Sequence, residues 1–396
     1  MRMFVILFLF INLLAKDSIY IVNEKVALPK IVVKNNSKSI DTKIQKQFYD
    51  MIINDLKLSS NFEILNEEKN SNYIVEYTLK QRNQGLILEI QAKLDKNIKF
   101  DQKYTLNNIK QYPFLAHKSI KDLISALGLL PVEWLDHKIL IAKNNGPRNT
   151  QIIIADYTLT YQKIIINDGI NLFPKWANKE QSAFYYSSYD DLPTLYKIDL
   201  KTMQKTKILS SPGIITASDI SQDENQILLS MAPNDQADIY IYDIKNNKLQ
   251  KISQYSGIDV NANFIDNDKK IVFVSDRLGY PTIFTQDLAT NIVQRAVFHN
   301  RNNSSVSSWG DYFIFSSREN DNKNNFNIYL MSIKENFITQ LTASGKNIFP
   351  KFSNDGGSIV FIKDINNQSS LGIIRVNALK SFYYPLKIGK IQAVDW

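Results

Sequence analysis

Any chemistry in this chain would have to come from three histidines, a column of aspartates and one arginine-bearing loop. His117, His137 and His299 lie too far apart for a His-Glu-x-x-His zinc helix. No cysteine is present, which excludes a thiolate nucleophile, a thiolate metal site and disulfides. No two glycines lie four or five positions apart, so neither Gly-x-Ser-x-Gly nor a P-loop can be formed. His117 reads as a half-exposed residue near the start of a helix, His137 falls in a connector and His299 in a loop. All three are expected to be structural.

The carboxylates invite a second possibility. Asp156, Asp199, Asp243 and Asp287 recur at steps of 43, 44 and 44 and continue as Ser332 and Asn377. A ring of carboxylates could hold a cation. However, each ends a β-patterned run and opens a turn, where Asp, Ser or Asn bonds nearby backbone N–H groups. A turn role permits the change to Ser and Asn, whereas a ring would need side chains converging on the channel. The loop Ser275-Asp276-Arg277-Leu278-Gly279-Tyr280-Pro281 is the most distinctive. Asp276 and Arg277 could orient it, or Arg277 could reach outward to a partner, a role arginine favours at interfaces. Together these features predict no catalytic residue, no metal site and no cofactor.

The elements that carry these residues are repeated. Trp176, Ile220, Phe264, Trp309, Phe352 and Trp396 are separated by 44, 44, 45, 43 and 44 residues, in step with the aspartate column. Each bulky residue precedes a polar turn such as Ser353-Asn354-Asp355-Gly356-Gly357. A β-rich run, a wetter loop, a second strand and a weaker outer strand follow. Four strands per unit at this period indicate propeller blades. Residues 138–396 span about six such periods. Ile391–Trp396 carries an inner-strand residue and then the chain stops, while 138–166 has outer strands without an inner one. Joining them would close the ring and remove the exposed edges. Pro131-Val132-Glu133-Trp134 is a rival blade start, but no polar turn follows it.

The front third lacks this period. Residues 1–15 read as a secretory signal, with Arg2, an apolar run Phe4–Leu14 and the small Ala15. Residues 16–137 read as a small α+β domain with an extended N-terminal segment. Its helices are placed at Asp41–Leu58, capped by Asp41 or Thr42, and at His117–Leu127; its strands at Ile31–Val33, Phe62–Leu65, Tyr73–Leu79 and Leu86–Leu94. The fold class is therefore a small α+β domain followed by a six-bladed β-propeller closed by the C-terminal strand. The formal charge of +8 is spread along turns and strand ends, with no basic block. Nucleic acid is not expected as a partner.

Particular segments also resemble a known family. Asn171-Leu172-Phe173-Pro174-Lys175-Trp176, Ser275–Pro281 with Thr282-Ile283-Phe284, and Asn347-Ile348-Phe349-Pro350-Lys351-Phe352 resemble the repeat of the TolB family. That repeat reads Pro-x-Trp-Ser-Pro-Asp-Gly at the inner strand; this chain keeps the spacing and relaxes the turn. A signal, a small α+β domain, a six-fold repeat and an ending within the closing strand complete the likeness over the whole chain.

The resemblance implies a monomeric periplasmic protein of the Tol-Pal envelope system, active in outer-membrane integrity and constriction during cell division, and not an enzyme. In that family the propeller rim grips the peptidoglycan-associated lipoprotein Pal, and the mature N-terminus engages TolA. Carried onto this sequence, the rim residues are Phe173, Pro174, Ile214, Thr216, Asp259, Val260, Asn261, Arg277, Ser304, Ser305, Ile348 and Phe349. The N-terminal segment comprises Asp17, Ile19, Tyr20, Ile21 and Val22. Two alternatives remain at this stage: a propeller-channel enzyme (lyase or peptidase-related) and a glycan-binding propeller using Phe173 and Phe349.

Overall fold

In the computed structural model the described residues are Ile19, 27–38, 40–319, 325–335, 337–365 and 368–396. The expected signal at 1–15 lies outside them, as do Asp17, Tyr20, Ile21 and Val22. Among the described residues no helix is long and apolar enough to cross a membrane.

The N-terminal unit packs two helices on a five-stranded sheet. In chain order it contains β1 (Lys30–Asn35), α1 (Thr42–Ser59), β2 (Glu63–Leu65), β3 (Tyr73–Arg82), β4 (Gly85–Leu94), β5 (Asn97–Leu106) and α2 (Tyr112–Ala126). The sheet order is β2-β1-β3-β4-β5. Asp41 caps α1, accepting from the Lys43 and Ile44 amides at 2.9 and 3.1 Å. The apolar stripe Phe48, Met51, Ile52 and Leu56 turns inward, and Asp55 is buried on the same face. β5 is additional to the expected strands. It has few buried positions, with Phe100 the one fully buried side chain, so no alternation marks it. α2 begins at Tyr112, five residues before the expected start at His117. Pro113 sits in its first turn, where a missing N–H costs nothing.

Residues from Ile139 onward form four-stranded antiparallel units. The first full unit runs Asn171–Trp176, Ala183–Ser188, Thr194–Asp199 and Lys205–Ser210, with each strand paired to the next. The same order recurs from Ile215, from Asp259, from Asn303 and from Lys346. The last two units join into one sheet by a single parallel pair, Phe326 with Lys346. The final strand, Lys390–Asp395, pairs antiparallel with Ile139–Asn144, in one sheet with Thr150–Ala155 and Gln162–Ile166. The rival blade start at Pro131–Trp134 is instead a turn of 3₁₀ helix over Glu133–Asp136. Its Trp134 is buried against Trp396, with ring centroids 4.9 Å apart.

Burial lies between sheets. Tyr185 and Leu195 of one unit pack on Ile215, Ile227 and Leu229 of the next. Leu228 and Ile239 then pack on Ala262, Phe264 and Ile271. Backbone ties follow the same period. The Trp176 amide donates to Asp395 Oδ2 at 2.8 Å, and the Phe264 amide donates to Asp219 Oδ2 at 3.0 Å. The aspartate column serves turns. Asp199 accepts from the Lys201 and Thr202 amides, Asp243 from Asn246, Asp287 from Ala289 and Thr290, and Ser332 from Lys334 and Glu335.

Candidate functional site

The inner strands run down the bore, and each of four carries one residue with a left-handed backbone. Phe173, Asn261, Ser305 and Phe349 have φ of 51, 54, 54 and 53°. Each lies where the pairing register shifts by a bulge. Left-handed φ is strained for any residue bearing a β-carbon, most of all phenylalanine. The surrounding structure fixes it with a second set of side chains. Asn171, Asp259, Asn303 and Asn347 stand at the start of their strands (Asn347 one residue in), at multiples of 44 residues, and are almost completely buried. Asn303 Nδ2 donates to the His299 carbonyl (3.0 Å) and Asn347 Nδ2 to the Ser344 and Phe326 carbonyls (3.0 and 2.8 Å). Thus a buried amide, or the Asp259 carboxylate in its place, anchors the loop, and the bulge behind it turns the next side chains into the bore.

The result is a cavity of about 330 Å³ at one mouth of the bore. Phe173, Pro174, Ile214, Thr216, Val260, Asn261, Ser304, Ser305 and Phe349 all line it. Three residues expected at the rim, Ile348, Asp259 and Arg277, do not line this cavity. Ile348 packs partly buried against the core that joins the two units. Asp259 is fully buried and is held by Arg277, whose Nη2 donates to both of its oxygens at 3.2 and 3.0 Å. Burial lifts the Asp259 pKa, against the pull of Ser275 and Arg277. The guanidinium also stacks over Tyr255, Phe273 and Phe284. Of the two readings of this arginine, the geometry favours the inward one: it braces a loop. Ile19, the one described residue of the expected N-terminal segment, is half-buried and packs on the core cluster that contains Tyr312, Ile314 and Phe352.

Below this cavity the bore is polar. Lys175, Asp219, Asn263, Ser307, Lys351 and Asp395 recur at a constant step of 44, each one residue before the bulky column except Ser307, which is two before Trp309. Lys175 Nζ lies 3.4 Å from Asp219 and 3.3 Å from Asp395. Burial would lower its pKa, but the two carboxylates raise it. A second cavity of about 220 Å³ opens on the far side, lined by Trp176, Trp309, Trp396, Lys179, Glu224 and Asp268. Lys175 is common to both cavities. This ring was legible as a column. Its six members differ in chemistry, as cation, anion, amide and hydroxyl, so no shared residue type marks it.

A third polar cluster joins the two units, and it corrects the expected half-exposure of His117. His117 is completely buried. Its Nδ1 lies 2.9 and 3.0 Å from the two oxygens of Asp55 on α1, and its Nε2 lies 3.4 Å from Asp156 of the propeller region. Burial alone would push its pKa down; the Asp55 and Asp156 carboxylates hold it up at about 9. The Tyr157 hydroxyl donates to Asp55 as well, and Asn54 bridges Tyr157 and Tyr384 at 2.9 and 3.2 Å. The charged atoms of His117, Asp55 and Asp156 are engaged with one another and with Tyr157, as in a fastening between the two units.

Comparison with known proteins agrees with this architecture. A family described as the TolB beta propeller domain matches residues 136–396. The chain is 56% identical over 389 residues to the Tol-Pal system protein TolB of Campylobacter jejuni, covering 97% of each chain. It is 38% identical to that of Wolinella succinogenes over the full length of both, and 34% identical to that of Helicobacter pylori over 93% of each. The crystal structure of TolB from Acinetobacter baumannii superposes with a TM-score of 0.79 at 20% identity, covering 93% of this chain and 96% of that one. The last likeness establishes the fold.

Proposed function

The chain belongs to the TolB family of Tol-Pal system proteins, and from that premise we propose that it works in the periplasm as a docking platform of the Tol-Pal system. It is a Tol-Pal component and not an enzyme. The finer reading has four parts. Residues 1–15 direct export, 16–137 form the α+β domain, and 138–396 form a propeller of six blades, the last completed by Lys390–Asp395. The cavity mouth receives Pal. The segment around Asp17, Ile19, Tyr20, Ile21 and Val22 receives TolA. Through Pal the protein is held peripherally at the outer membrane, where it supports envelope integrity and constriction during division.

One observation carries the docking part: nine of the side chains expected at the rim converge on a single cavity built from bulged, anchored backbone. Such a surface is preformed, so a protein partner can dock with little ordering cost. Its lining is mostly apolar and hydroxylic, with Phe173, Ile214, Val260 and Phe349 beside Thr216, Ser304 and Ser305, and two lysines, Lys175 and Lys351, also line it. A protein loop with apolar side chains suits that lining.

The test is capture from crosslinked cell envelopes with the full chain as bait, followed by titration with the purified periplasmic domain of Pal. Pal is expected in the captured fraction and in a saturable complex. No complex, together with substrate turnover or a sugar-induced rise in melting temperature, would overturn the reading in favour of an enzyme or a glycan binder.

A further inference from the structure

The six polar positions of the bore are unequally satisfied. Lys175 stands between Asp395 and Asp219 in repeat order and contacts both. Those carboxylates are further engaged by the Trp176 and Phe264 amides. Lys351 stands between Ser307 and Asp395 in the same order, and Asp395 is already committed to Lys175. Ser307 Oγ accepts from the Phe352 amide at 3.4 Å. Among the described residues, no carboxylate lies within ion-pair distance of Lys351 Nζ. One arc of the ring, Asn263-Ser307-Lys351, therefore has a cation and no anion.

Lys351 also differs in where it opens. Its side chain is half-buried and lines the cavity at the docking mouth, beside Phe349 and Pro350. We propose that Lys351 is the counter-ion for a carboxylate side chain, an Asp or Glu on an apolar loop of the docked protein, which enters the bore through this cavity. The inference rests on the rim-docking reading above and specifies what that site recognises.

Physical chemistry favours this occupant. A desolvated ammonium without a partner is unfavourable, and a carboxylate at contact distance relieves it. Lys175 already contacts both carboxylates of the ring, so Lys351 is left without a contact partner, and one incoming carboxylate supplies it. The apolar mouth, with Phe173, Val260 and Phe349, suits the stem and neighbours of an acidic side chain, whereas a free phosphate or sulfate would leave that wall unused. Burial and the like charge of Lys175 depress the Lys351 pKa to about 8, with Asp395 and Asp219 pulling the other way. The charged groups facing it are Lys175, Asp219 and Asp395. The remaining inner strands present Asn263 and Ser307, and Asp259 is held by Arg277. Where the free lysine is neutral, binding of a carboxylate here draws a proton onto Lys351 Nζ.

The experiment is calorimetric titration of the full chain with the periplasmic domain of Pal, at about pH 7 and about pH 9, on either side of the value of about 8. Wild type is expected to bind several-fold more weakly at the higher pH. Lys351→Met should keep or raise the melting temperature and weaken binding at pH 7 by about thirtyfold or more, the effect of removing one partner of a buried charge pair. Lys351→Arg should bind with no loss between the two pH values, since arginine stays charged. Equal affinity of wild type and K351M would overturn the anchor and leave rim docking intact. Failure of wild type to bind Pal at all would remove the docking reading and the anchor with it. If K351M does not fold, wild type and K351R decide: parallel pH profiles would overturn the proposal.

Discussion

Asp55 on α1 and His117 on α2 meet at 2.9 Å with neither side chain exposed, and the opposite imidazole nitrogen faces Asp156 across the junction with the propeller region. Two helices and a blade turn are thus joined through one ring. A buried ion pair of this kind contributes little net stability while complete, but loss of one partner strands a charge. The junction should therefore be sensitive to His117 out of proportion to its size.

The pH dependence of that junction has a definite sign. The His117 pKa is held up at about 9, above the ordinary value of 6.5. Its contribution is fully present below the ordinary value and is lost as pH rises through about 9. The Asp55 pKa, raised by burial against the pull of His117, adds a loss with rising pH in the same direction at lower pH. His117→Ala is expected to cost about 3 kcal/mol near neutral pH. The gap in melting temperature between wild type and variant should narrow above about pH 9. A gap that stays constant up to pH 10 would show that the imidazole is held neutral.

The propeller repeat was readable because its packing column and its turn aspartates are chemically uniform and evenly spaced. What escaped were features whose identity depends on neighbours in space. Asp55 sits on the apolar stripe of α1, a polar residue at a core position, and no local pattern says that His117 and Tyr157 will meet it. β5 is an edge strand with mostly exposed side chains, so it leaves no alternation. The bore ring is as regular as the packing column, yet its members differ in charge; their kinship shows only when the strands are aligned around an axis. Arg277 was open to two readings because sequence cannot say whether an arginine turns to a buried aspartate or to solvent.

The end of the chain should be indispensable. Lys390–Asp395 pairs along its length with Ile139–Asn144, and Trp396 Nε1 donates to the Phe352 carbonyl at 2.7 Å. Asp395 also holds Lys175 and the Trp176 amide. Deleting Ile391–Trp396 would expose the edge of Ile139–Asn144 and take one of its two carboxylates away from Lys175. The truncated chain is expected to aggregate or to melt far below wild type by circular dichroism. An unchanged melting curve would mean that this pairing contributes nothing.

The rim can be separated from the scaffold. Val260 and Asn261 line the cavity and are only half-buried. Asn261 has φ of 54°, a conformation that aspartate also tolerates. The double variant Val260→Asp, Asn261→Asp should leave the melting temperature within about 2 °C. It should weaken Pal binding at least tenfold, because the new carboxylates oppose an acidic entrant and desolvate poorly. A folded variant with full affinity would take these two positions out of the interface.

Arg277 provides the opposite case. Its guanidinium neutralises a completely buried Asp259 and covers three aromatic rings, and its own side chain is 20% exposed. Arg277→Ala leaves Asp259 unpaired, so a loss of about 3 kcal/mol is expected. Arg277→Ala with Asp259→Asn should recover part of that loss, since the amide needs no counter-ion. Urea unfolding of the wild type, both single variants and the double variant measures the coupling directly. An arginine that served a partner instead would give the reverse pattern: unchanged unfolding midpoints, no coupling between the two sites, and a selective fall in Pal affinity.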